Sequence, residues 1–179
     1  AIEAGSIIPT SSTTSQLALG DALAIATMKH RKFNKKDFKQ IHPAGSLGAQ
    51  LKTVEDIMLK DNAIPFVSEN LKMKDALKVF SSKKLGFLLV RDKKKLTKGI
   101  ITDGELRRFS QKNQNFHSIP VKKIMTKNPI GIDKNELAAK ALSIMNNKKI
   151  TSLCVYEKKN KFKTIGVLHI HNILQSNIS

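Results

Sequence analysis

The stretch GIITDGEL, Gly99–Leu106, returns 67 residues later as GVLHIHNI, Gly166–Ile173. Working outward from that pair, KKLGFLLV (Lys83–Val90) is matched by KKITSLCV (Lys148–Val155) at an offset of 65. VEDIM (Val54–Met58) is matched by VKKIM (Val121–Met125) at an offset of 67. Blocks in one order, slipping by two residues only in their loops, make a duplicated unit of about 60–65 residues, and such a repeat decides the architecture before any single element does. Each unit reads the same way. A Met-ended segment precedes a short apolar stretch, IPFV (Ile64–Val67) or PIGI (Pro129–Ile132). Met73, Ala76, Leu77 and Phe80 then recur at helical spacing, as do Leu137, Ala138, Ala141, Leu142 and Met145. GFLLV or SLCVY reads as a strand, RDKKKLTK or EKKNKFKT as a charged turn, and GIIT or GVLH as a second strand running straight into a short helix. A β-α-β-β-α order, twice, predicts an α/β (α+β) layered fold rather than a helical bundle.

Residues 1–52 do not repeat. PTSSTT (Pro9–Thr14) is rich in residues that cap the free N–H groups of a helix start. LALGDALAIATM (Leu17–Met28) is apolar nearly all round, a pattern of helices buried on most sides. A segment this short cannot cover such a helix by itself, so more chain or a partner subunit is expected to do so.

The 179 residues are 40% apolar, enough for an ordinary core and unlike the composition of disordered chains. No apolar run reaches the ~18 residues of a membrane span, and no membrane partner is expected. The first residues lack both a signal-peptide pattern and an initiator Met, so the chain is expected to begin inside a larger, cytoplasmic protein. Cys154, the single cysteine, supports no disulfide or multi-Cys metal site and reads as a small buried hydrophobe. Net charge is +18. Only Arg31, Arg91, Arg107 and Arg108 among the basic residues are arginine, aromatics are 5% and Trp is absent. Bidentate phosphate contacts and stacking platforms are therefore scarce, and nucleic acid is not an expected partner.

The duplicated β-α-β-β-α unit, with its Met-ended starts and glycine-led strand-to-helix turns, resembles a tandem pair of CBS domains (a Bateman module). The order PTSSTT, GDALA (Gly20–Ala24), HPAGSLG (His42–Gly48) and then such a pair resembles the KDO-pathway arabinose-5-phosphate isomerases. TDGELRR (Thr102–Arg108) and GVLHIH (Gly166–His171) are similar to that family too. The resemblance implies that residues 1–52 are the last segment of a SIS (sugar isomerase) doubly wound α/β domain, with CBS domains at 53–116 and 117–179. It implies a parent that interconverts D-ribulose 5-phosphate and D-arabinose 5-phosphate for KDO and lipopolysaccharide synthesis. The parent is expected to need no cofactor and to form a tetramer. This chain alone is expected to be inactive, because most of the SIS domain is absent from it.

Aldose–ketose isomerisation needs a proton-transfer group and donors for the phosphate. His42 stands where the family carries an active-site His; imidazole titrates near neutrality and suits proton movement during ring opening. Pro43, Gly45 and Gly48 would shape the loop around it. Glu3 is the candidate catalytic carboxylate, with a plain surface Glu as the alternative. Ser11, Ser12, Thr13 and Thr14 would meet the sugar phosphate at a helix start, or serve as ordinary caps. In CBS domains a Gly-x-x-Thr-x-x-Asp pattern holds ribose and phosphate. Its counterparts here are Gly99, Thr102 and Glu105, then Gly166, His169 and Asn172. Thr-x-x-Glu is equally a capping box, and Asn offers no charged acceptor. His169 and His171, two apart on a helix, point to different faces and make no metal pair. Arg107 and Arg108 read as a solvated helix face. A nucleotide or CMP-KDO-like effector at the CBS pair follows from the resemblance. The other reading is a ligand-sensing module without catalysis.

Overall fold

The computed structural model describes residues 8–34, 37–38, 41, 50–112, 115–176 and 178. The chain divides into two units, residues 1–48 and 49–179. In the first, helix α1 (Ser11–His30) follows Thr10, as the Ser/Thr cluster predicts. None of its residues is buried: Leu17, Leu19, Leu23, Ile25 and Met28 are exposed despite the apolar pattern.

The second unit holds α2 (Val54–Ile57), β1 (Leu59–Lys60), β2 (Phe66–Ser68), α3 (Met73–Lys83), β3 (Phe87–Arg91), β4 (Thr97–Thr102) and α4 (Asp103–Lys112). The repeat adds β5 (Thr126–Lys127), β6 (Gly131–Asp133), α5 (Ala138–Lys148), β7 (Ser152–Glu157), β8 (Asn160–His169) and α6 (Ile170–Gln175). Helices α3 and α5 both stop at a lysine forced left-handed, Lys84 and Lys149, each at φ 53°. Helix α2 is fixed by a capping box, in which the Asp56 carboxylate accepts from the Thr53 N–H at 2.6 Å and its hydroxyl at 2.7 Å.

The described residues form two four-stranded sheets, ordered β2-β3-β4-β5 and β1-β8-β7-β6. Each contains one parallel pair, β2 with β3 or β6 with β7, and one antiparallel hairpin. The edge strands are exchanged. Strand β5 of the second repeat pairs with β4 of the first, Gly99 opposite Lys127. Strand β1 of the first pairs with β8 of the second, Lys60 opposite Gly166. The cores are exchanged likewise. Val54 packs with Ile132, Met145 and Leu168, while Val121 and Ile124 pack with Met73, Leu88 and Ile101.

Two glycines make this exchange sterically feasible. A Cβ on Gly99 would lie 2.7 Å from both Met125 Sδ and Thr126 O. One on Gly166 would collide with Met58 Sδ and lie 3.1 Å from Leu59 O. The Met that ends each sequence block therefore packs on the glycine of the other repeat. At the centre, Thr97 donates its hydroxyl to that of Thr164 at 2.7 Å, both residues buried. These are equivalent positions of the two repeats, so their bond lies on the pseudo-twofold relation between the halves.

KFKT, read as part of a charged turn, belongs to β8, which starts at Asn160. Residues 160–163 are exposed, and backbone pairing such as Glu157 with Asn160 holds the hairpin arm without an apolar pattern. Cys154 is buried as expected, and burial pushes its thiol up to about 11. No helix among the described residues is long and apolar enough to cross a membrane.

Candidate ligand cleft

Strand β4 passes into α4 without a loop, and the third helical residue turns back on the strand end. Glu105 Oε2 accepts from the Thr102 N–H at 2.9 Å and from its hydroxyl. Oε1 accepts from Arg108 Nη2 at 2.9 Å and from the Thr126 hydroxyl at 3.2 Å. The carboxylate thus ties a helix start in the first repeat to the exchanged strand of the second. Burial pushes its pKa up, but the bonds from Thr102 and Thr126 outweigh that and hold Glu105 below the ordinary glutamate value. Arg108, read as part of a solvated helix face, is 69% exposed and supplies one of these bonds.

Beside this corner lies a cleft of about 320 Å³. Thr102, Glu105, Thr126 and Ile100 form one wall. Asn128, Pro129 and Ile130, with Lys149 through Ser152, form the other. Asn128 reaches the lip by taking a left-handed turn, φ 53°. The lining offers four hydroxyls, one amide and one ammonium among apolar surfaces from Ile100, Pro129, Ile130 and Ile150. That set can seat a small molecule with an apolar body and a polar or anionic end. Its single carboxylate, Glu105, is already engaged by Thr102, Arg108 and Thr126.

The second corner differs. His169 is the last residue of β8 and caps α6, not a residue within the helix. Its N–H donates to Asn172 Oδ1 at 3.1 Å, and its Nδ1 accepts from the His171 N–H at 3.3 Å. The His169 and His171 rings therefore lie 4.9 Å apart rather than on separate faces, because the strand-to-helix bend brings them together. Burial, then the neighbouring His171, lowers the His169 pKa. No group of three or more His, Cys, Asp or Glu among the described residues could hold a metal.

Of the other candidates, Gly99 and Gly166 serve strand packing, as above. Thr13 and Thr14 donate their hydroxyls to carbonyls of the preceding turn, Thr13 to Thr10 O at 2.9 Å and Thr14 to Thr10 O at 3.0 Å. Ser11 and Ser12 open the same helix. Glu3 and His42 lie outside the described residues. Sequence reasoning missed Lys149, Ser152 and Thr126; only the exchange of edge strands carries Thr126 to Glu105.

The chain matches the CBS domain over residues 54–112 and again over 121–178. The chain belongs to the CBS domain family. Among solved structures, CBSX2 in complex with AMP superposes with a TM-score of 0.59 at 24% identity, covering 69% of this chain and 94% of that one. The CBS-domain containing protein ATU1752 from Agrobacterium tumefaciens gives 0.60 at 20%, covering 70% and 90%. Likeness also extends over the first unit. Arabinose 5-phosphate isomerase KdsD of Francisella tularensis is 41% identical over 170 residues, 94% of this chain and 51% of that protein. KdsD of Escherichia coli K12 is 37% identical over 173 residues, 96% and 52%. This CBS-family chain spans about half the length of the curated relatives it matches.

Proposed function

We propose that this chain is part of an arabinose 5-phosphate isomerase, contributing the last SIS segment (1–52) and two regulatory CBS domains (53–116 and 117–179). The observation that carries this is the 37–41% identity to KdsD, which runs through both units rather than the CBS pair alone. In the complete tetrameric, cytoplasmic enzyme His42 moves the ring-opening proton, Glu3 is the candidate carboxylate, and the Ser11–Thr14 helix start meets the sugar phosphate. The 179-residue chain by itself does not isomerise. Assay of the whole protein for conversion of ribulose 5-phosphate to arabinose 5-phosphate tests the reading. His42→Ala is expected to lower kcat by about 10²–10⁴. Normal turnover in that variant removes His42 from the chemistry.

The cleft beside Glu105 supports a sensing role for the CBS pair. A nucleotide-sized anion would lay its apolar body on Ile100, Ile130 and Ile150 and direct its anionic group to Lys149 and the Ser152 hydroxyl. Melting-temperature shifts with AMP, ATP, CMP-KDO and arabinose 5-phosphate test this, since a ligand of the folded state raises stability once it exceeds its Kd. No shift with any of them counts against sensing.

A further inference from the structure

The reading of the Glu105 cleft as a ligand site raises the question of its counterpart, and the inference here rests on that reading. The repeat offsets make Leu59 the equivalent of Thr126, Leu85 of Ile150 and Phe87 of Ser152. In the open cleft these positions supply a hydroxyl, an apolar side chain and a second hydroxyl. Leu59, Leu85 and Phe87 instead pack with Ile64, Leu89, Cys154 and Val167 in one apolar cluster, whose edge at Ile100 reaches the open cleft. Phe87 is only 3% exposed. A Phe side chain covers about 150–250 Å² of apolar surface, so its ring occupies space that a serine leaves free. Asn172 replaces the charged Glu105 at the second corner.

We propose that the CBS pair takes a single nucleotide-sized anion per chain, in the Thr102–Ser152 cleft, and that the opposite cleft is a permanent apolar joint. Ligand then draws the second repeat toward the β4–α4 corner on one side only, while Phe87 and its neighbours hold the other side closed. The regulatory signal is a lopsided closure about that joint. A symmetric squeeze would require Phe87, Leu59 and Leu85 to leave their apolar contacts, which nothing in a polar ligand repays.

Isothermal titration of the chain with AMP as probe tests this, with Ser152→Phe as the decisive variant. That substitution installs in the open cleft the side chain that the first repeat already accommodates at the equivalent position. One AMP per parent chain is expected. Ser152→Phe is expected to lose measurable binding while its thermal unfolding remains cooperative. Phe87→Leu, which keeps the joint apolar, is expected to bind one AMP as the parent does. Two AMP per parent chain, or undiminished binding by a folded Ser152→Phe, overturns the single-cleft inference and leaves the ligand-site reading standing. Absence of AMP binding to the parent chain overturns the single-cleft inference, and failure of ATP, CMP-KDO and arabinose 5-phosphate to bind as well overturns the ligand-site reading.

Discussion

Gly99→Ala places a methyl group where Thr126 O and Met125 Sδ each lie 2.7 Å from the new carbon. The carbonyl has nowhere to go. It belongs to β5, held against β4 by the pairings Gly99–Lys127 and Ile100–Thr126. Met125 is tied in turn by its N–H to Val121 O at 3.1 Å. Inserting a methyl group into a filled site costs about 1–3 kcal/mol. Gly→Ala returns roughly 0.4–1 kcal/mol by restricting the unfolded chain. The net loss is about 1–2 kcal/mol, or about 4–7 °C in Tm for a cooperative unit of this size. At Gly166 the first atom met is Met58 Sδ, with Leu59 O at 3.1 Å. A methionine can turn aside where a backbone carbonyl cannot, so Gly166→Ala should cost roughly half as much. Differential scanning calorimetry of the two variants gives the ranking. Amide exchange at Thr126 and Lys127 locates the damage: it should quicken in Gly99→Ala. An unchanged Tm for Gly99→Ala, or a greater loss for Gly166→Ala, would refute the claim that backbone crowding at the exchanged strand is the limiting contact.

Thr97→Val removes the donor to Thr164 and should cost about 1–2 kcal/mol, whereas Thr97→Val with Thr164→Val together should cost less than the two singles combined; strict additivity in urea melts would dissolve the central bond. His169 has a lowered pKa in the folded state, so the unfolded state takes up its proton first. Stability from this group is intact above about pH 6.5 and declines as pH falls toward the folded value. The drop between pH 7.5 and 5.5 should shrink in His169→Gln, and an identical drop argues against His169 as its source. Cys154 is raised from 9.0 to about 11 by burial, which alone cuts its thiolate about 100-fold. Alkylation at pH 8 should be slower than in urea by at least that factor, and comparable rates would mean the thiol is accessible.

The duplication, the helices α3 and α5 and the paired hairpins were legible because each repeat carries the same apolar spacing twice. The exchange was not. A two-residue strand such as Leu59–Lys60 has no periodicity of its own, and its sheet is chosen by a partner about a hundred residues away, Val167. KFKT escaped for a related reason: an arm exposed on both faces has no burial pattern to read. At the cleft, Thr102 and Glu105 were visible as a spaced motif, whereas Lys149 and Ser152 come from a different repeat and carry no local signature. The same blindness covered the opposite side. Phe87 in GFLLV looks like any core aromatic, and only its equivalence to Ser152 gives it meaning. His169 was assigned to a helix because the strand's last residue and the helix cap are one position.

The traded edges also set the order in which the molecule can be built. As the chain leaves the ribosome, β4 presents an open edge until Thr126 and Lys127 emerge to close it. The short strand at Leu59 has no sheet to join until Val167 has been made. The first repeat therefore waits, incompletely paired, for almost the whole of the second, and pairing over such sequence separations is slow. A nascent chain stalled before Thr126 has emerged would expose an unfinished sheet able to recruit the same strand from a neighbouring polypeptide.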